Sequence, residues 1–78
     1  MMNLKVKVYD GSKYDAASKK VAETIYNDVV SLEVKVIADN EILKTYDETD
    51  EYNEYAIITF TDGTTATFRN SHVDIFRA

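Results

Sequence analysis

Cysteine, proline and tryptophan are absent from this 78-residue chain, and glycine occurs only twice. Without cysteine there is no disulfide framework, no thiolate zinc site and no cysteine nucleophile. Gly11 and Gly63 stand alone, so no glycine-rich loop is available to cradle a phosphate. Positive charge is scarce as well. Nine Lys and Arg stand against 14 Asp and Glu, for a net charge of -5, and only Arg69 and Arg77 are arginines. A direct ligand of DNA or RNA needs clustered cations to displace counterions from phosphates, so this balance argues against nucleic acid and, equally, against anionic membrane surfaces. Long apolar runs are missing too. Stretches such as Ala56-Ile57-Ile58 are too short for a transmembrane helix. The N-terminal Met1-Met2-Asn3-Leu4-Lys5-Val6-Lys7 alternates apolar and polar residues, unlike a signal peptide. The expected location is the cytoplasm.

What is present points to a folded domain. Hydrophobic residues make up 45% of the chain, with six tyrosines and three phenylalanines, a composition that argues against disorder. The length allows a single domain, residues 1–78. A chain this short buries only about 60% of its unfolded surface, so the core has to be compact.

Leu4, Val6 and Val8 alternate with Lys5, Lys7 and Tyr9, the pattern of a half-buried strand. Asp10-Gly11-Ser12 breaks it and offers Ser12 as a helix cap. Tyr14, Ala17, Val21, Ile25 and Val29 then recur at helical spacing, predicting one amphipathic helix over residues 13–30. Alternation returns over 32–38, a second strand. Asp39-Asn40 reads as a turn leading into a third strand over 41–46, and an acidic loop over 47–53 follows. Residues 55–61 and 64–70 form a hairpin around Asp62-Gly63. A three-residue loop, Thr61-Asp62-Gly63 with Gly63 left-handed, pairs Phe60 with Thr64 and puts Ala56, Ile58, Phe60, Ala66 and Phe68 on one face. Val73 and Ile75 suggest a short final strand or extended tail. The expected fold class is α+β: a two-layer sandwich of one amphipathic helix on an antiparallel sheet, in the order β-α-β-β-β-β with a sixth strand optional.

Chemistry-bearing constellations are weak. Ser71, His72 and Asp74 are close in sequence, but in an extended segment Ser71 points away from His72, and neither a nucleophile elbow nor an oxyanion glycine lies nearby. A single histidine and no cysteine disfavour a transition-metal site. Asp47-Glu48-Thr49-Asp50-Glu51 lacks the alternating ligands and central glycine of a calcium loop. The reading is a protein without catalytic residues, metal or cofactor.

Charge distribution is more informative. Between Asp39 and Tyr55 seven acids (Asp39, Glu41, Asp47, Glu48, Asp50, Glu51, Glu54) face one base, Lys44, giving -6, while the rest of the chain carries seven acids and eight bases, giving +1. Tyr46, Tyr52 and Tyr55 are interleaved with these acids. One explanation is a solvated loop that aids solubility. The sharper one is a recognition surface made of Asp47, Glu48, Asp50, Glu51 and Glu54, with Tyr46, Tyr52 and Tyr55 as rigid contacts. Its carboxylates would imitate nucleic-acid phosphates and be steered onto the basic groove of a DNA- or RNA-processing protein. Against this stands a structural module that self-associates into a homodimer through an edge strand such as residues 4–9 or the tail 73–76.

Small, acidic, cysteine-free chains of this type resemble the anti-defence proteins of bacteriophages, anti-CRISPR proteins and DNA mimics among them. Tyr46-Asp47-Glu48-Thr49-Asp50-Glu51, then Glu54-Tyr55-Ala56-Ile57-Ile58 and the Asp62-Gly63 turn, are similar to the C-terminal half of the phage uracil-DNA glycosylase inhibitors. The first-strand recognition motif of those inhibitors, Gln-Glu-Ser, is replaced here by Tyr9-Asp10-Gly11-Ser12. The resemblance therefore implies a non-enzymatic inhibitor of a host protein and leaves its target open.

Overall fold

The computed structural model describes residues 1–43 and 51–78. They form one five-stranded antiparallel sheet with a short helix: β1 (Met2–Tyr9), β2 (Lys20–Ala38), α1 (Asp39–Leu43), β3 (Tyr52–Phe60), β4 (Thr65–Arg69), a 3-10 turn (Asn70–His72) and β5 (Val73–Arg77). The order across the sheet is β4-β3-β2-β1-β5. No helix among the described residues is long and apolar enough to cross a membrane.

The expected amphipathic helix over 13–30 is not formed. Residues 13–18 make tight turns, with the Ser12 hydroxyl accepting from the Tyr14 N–H and Asp15 Oδ1 accepting from the Ala17 N–H, and residues 20–30 lie in β2. The reason is that a spacing of four residues satisfies a period of two as well as one of 3.6. Val21, Thr24, Ile25, Val29 and Val30 are β-branched and favour the strand. Pairing decides the matter, because β1 finds its central partner in this stretch, with Val6 opposite Thr24 and Leu4 opposite Tyr26. The expected second strand over 32–38 is the continuation of the same 19-residue β2. Residues 39–43, read as a turn and the start of a third strand, instead form α1; the rest of that strand lies outside the described residues.

The hairpin of β3 and β4 has the expected register. Thr59 pairs with Thr65 and Ala56 with Phe68. The Phe60 N–H donates to the Thr64 carbonyl at 2.9 Å, and Gly63 sits at φ +85°, where a side chain would be strained. The final strand is present as β5.

β2 organises the rest. Its first half pairs with β1 up to Val29 opposite Met2, and its second half pairs with β3 from Val29 opposite Phe60 to Ala38 opposite Tyr52. The two halves meet at an irregularity around Asp28, a non-glycine residue at φ +58°. The extra residue there brings both Tyr26 and Val29 to the core side, which alternation alone would forbid. The three-residue turn Asn70–His72 joins the two edge strands β4 and β5, so the sheet has to curl until its edges approach. The core lies inside that curl. Leu4 and Val6 of β1, Val29 of β2, Ala56 and Ile58 of β3 and Val73 of β5 are buried there, and Tyr26 packs against Phe60 and Phe68. A sheet folded on itself thus takes the place of a helix laid on a sheet.

Beyond Tyr55, where β4 stops, β2 and β3 run on as a two-stranded ribbon capped by α1. β1, read as a candidate dimer edge, is interior, between β2 and β5; β5 is an edge strand.

Candidate functional site

The described residues of the acid-rich segment, 39–43 and 51–55, lie at the end of this ribbon. Tyr46, Asp47, Glu48 and Asp50 lie outside the described residues. Asp39, Glu41, Glu51, Tyr52, Glu54 and Tyr55 can be placed.

Asp39 begins α1 and turns back onto β3 and β4. Its Oδ1 accepts the Tyr55 hydroxyl at 2.6 Å and its Oδ2 accepts Arg69 Nη2 at 3.0 Å; Asn53 Nδ2 donates to both oxygens at 2.9 and 3.0 Å. The backbone closes the same corner, with the Asp39 N–H donating to the Glu51 carbonyl at 2.7 Å. The alternation of strands explains the convergence. Asn53 and Tyr55 are two residues apart on one face of β3, and Arg69 lies directly opposite Tyr55 on β4. Hydrogen bonds from Tyr55 and Asn53, with the charge of Arg69, hold the Asp39 carboxyl below the usual aspartate range. The bond to Asp39 and burial raise the Tyr55 phenol in turn.

Tyr55 is therefore a buried support, 4% exposed, and not a surface contact. Tyr52 is the opposite, 65% exposed with exposed Glu51 and Glu54 on either side. Glu54 Oε2 accepts from Asn70 Nδ2 at 3.3 Å. An open cleft lined by Tyr14, Asn53, Glu54, Asn70 and Ser71 lies beside it, where the Lys13 N–H donates to the Ser71 carbonyl and ties the 13–18 turns to the 3-10 turn. Glu41 on α1 is also exposed. The described part of the segment thus joins a firmly bonded base (Asp39, Asn53, Tyr55, Arg69) to an exposed acidic and aromatic tip (Glu51, Tyr52, Glu54).

Elsewhere, the Asp74 carboxylate accepts the Tyr9 hydroxyl at 2.8 Å and pairs with Lys13 at 3.7 Å, which gives it a structural partner on each side. Among the described residues, no group of three or more His, Asp or Glu side chains converges as a metal site would require.

Residues 32–38 of β2 form the strand that their alternation predicts, but the apolar side chains of Leu32, Val34 and Val36 stay in solvent. Val34 is 54% exposed and Val36 65%, although they pair with buried Ala56 and with Glu54 on the same face. The signal was available in part: 29–37 is rich in Val, Leu and Ile, with charges only at Glu33 and Lys35. Which edge of the strand is left open is not written in that pattern. No protein-family model matches this sequence, and comparisons with curated proteins and with solved structures return no match.

Proposed function

We propose that this chain is a small, non-enzymatic, acidic inhibitor of the phage anti-defence type, acting in the cytoplasm of a bacterial host. It binds the basic, nucleic-acid-binding surface of a DNA- or RNA-processing protein by imitating phosphates. The observation that carries this reading is the exposed tip in which Tyr52 stands between Glu51 and Glu54, in a segment that holds more than the whole net charge of the chain. Rigid aromatic area with carboxylates close by in the chain suits a cationic groove, and the Asp39 cluster gives the tip a fixed base to stand on. Asp47, Glu48, Asp50 and Tyr46, which lie outside the described residues, are assigned to the same binding segment by their place in the sequence.

The test is capture on immobilised protein from nuclease-treated bacterial lysate, with washes of rising salt. A nucleic-acid-processing protein released by salt is the expected result, since exposed charges are screened beyond about 8 Å at physiological ionic strength. The triple variant Glu48→Lys, Glu51→Lys, Glu54→Lys should lose that partner while keeping its circular dichroism spectrum. Retention of the partner by the folded triple variant would refute the reading.

A second reading, a self-associating structural module, is favoured by a different observation: the exposed valines of β2. In that case the acidic tip serves solubility.

A further inference from the structure

Among the described residues, the second half of β2 has a strand neighbour on one side only. Pairing with β1 ends at Met2 opposite Val29, and among the described residues no strand pairs with 30–38 on that side. The direction of its free backbone groups follows from the hairpin. The Phe60 N–H points to β4, so by alternation Thr59, Ile57, Tyr55 and Asn53 point to β2. Their partners Ser31, Glu33, Lys35 and Ile37 are thereby bonded to β3. Leu32, Val34 and Val36 are left presenting N–H and C=O groups outward along the open edge. Their side chains are exposed as well, at 37%, 54% and 65%.

We propose that a second copy of this chain occupies this edge, β2 pairing antiparallel with β2 across a two-fold axis at Val34. The register follows from the residues. With Val34 opposite the partner's Val34, Leu32 meets the partner's Val36, and each such pair exchanges two backbone hydrogen bonds. On the other face Glu33 meets the partner's Lys35, and Lys35 the partner's Glu33, at the closer, non-hydrogen-bonded spacing. Within one chain these two side chains already pair at 3.1 Å and are more than half exposed. Sliding the partner by two residues either way sets Glu33 on Glu33 or Lys35 on Lys35, so the charges select a single alignment. Length fits too: Val30 meets the partner's Ala38, and the slot between the start of β1 and the end of β2 is filled by the same segment that lines it. Val21 and Ile25, also exposed on β2, have no such self-complementary arrangement around Thr24, where Glu23 would oppose Ile25.

This inference develops the self-association reading and is independent of the acidic tip. Its test is sedimentation velocity of the full chain from micromolar to submillimolar concentration. A species of twice the chain mass is expected, and a monomer throughout overturns the proposal. Glu33→Lys should weaken the dimer about tenfold by opposing like charges, and adding Lys35→Glu should restore it. Val34→Pro removes only an outward N–H, so it should give a folded monomer. Because the chain has no cysteine, Val34→Cys with a short bis-maleimide should cross-link two chains, and Val21→Cys should not. A dimer unaffected by the charge swap, or linked through Val21, would leave self-association standing and eliminate this edge.

Discussion

Asp39 shows how much one carboxylate can organise when strand alternation brings its donors together. Four donor contacts from Tyr55, Asn53 and Arg69 converge on it, and its carboxyl is held below the ordinary 3.8. A depressed folded-state pKa stabilises the fold fully above the unfolded value and loses that stabilisation as pH falls toward the folded one. Thermal melts between pH 6 and 2 should therefore show a loss that begins on the acid side of about pH 4. Asp39→Asn should remove this part of the loss, and Tyr55→Phe should lower the melting temperature at neutral pH and reduce the same pH dependence. Identical acid profiles in all three proteins would show that the cluster is not coupled to folding. Asp62 is a second case, its carboxyl lowered by the hydroxyl and backbone N–H of Thr64 in the hairpin loop.

At the scale of the element, two positive-φ residues do different work. Gly63 at φ +85° closes the β3–β4 hairpin, and Asp28 at φ +58° lets β2 change partners and bend. Left-handed backbone disfavours a β carbon, most of all a branched one. Gly63→Ala should cost about 1 kcal/mol in urea unfolding. Asp28→Val should cost about 1–2 kcal/mol, while Asp28→Gly should be neutral or stabilising. If Asp28→Val were harmless, the bend would not depend on that backbone conformation. β2 is also the element whose first half has a spacing that predicts a helix and a structure that is strand. Val21, Ile25 and Val29 fit a helix repeat and a strand repeat equally well, and only β1 lying alongside distinguishes them.

For the whole molecule, the curl of the sheet separates apolar residues that look alike in sequence. Ile58 is fully buried in the curl and Val36, on the same face, stays in solvent on the ribbon. Ile58→Ala should cost about 2–5 kcal/mol. Val36→Thr should change the stability of the single chain, measured at low concentration, by no more than about 0.5 kcal/mol. Similar losses from both would mean that the ribbon is packed and not exposed.

The sequence by itself determined the local grammar of this protein: the alternation of β1, the strand character of 32–38, the β3–β4 hairpin with its Gly63 bulge and the final strand. Each rests on neighbours in the chain, through side-chain alternation and turn chemistry. It also placed the acids of one segment together, since charge can be counted along the chain. The tertiary structure alone decided the strand over 20–30, the burial of Tyr55 beside exposed Tyr52, the collection of donors around Asp39 and the side of β2 that no described strand covers. These depend on which distant strand lies alongside, and a spacing of two or four residues carries no record of its partner.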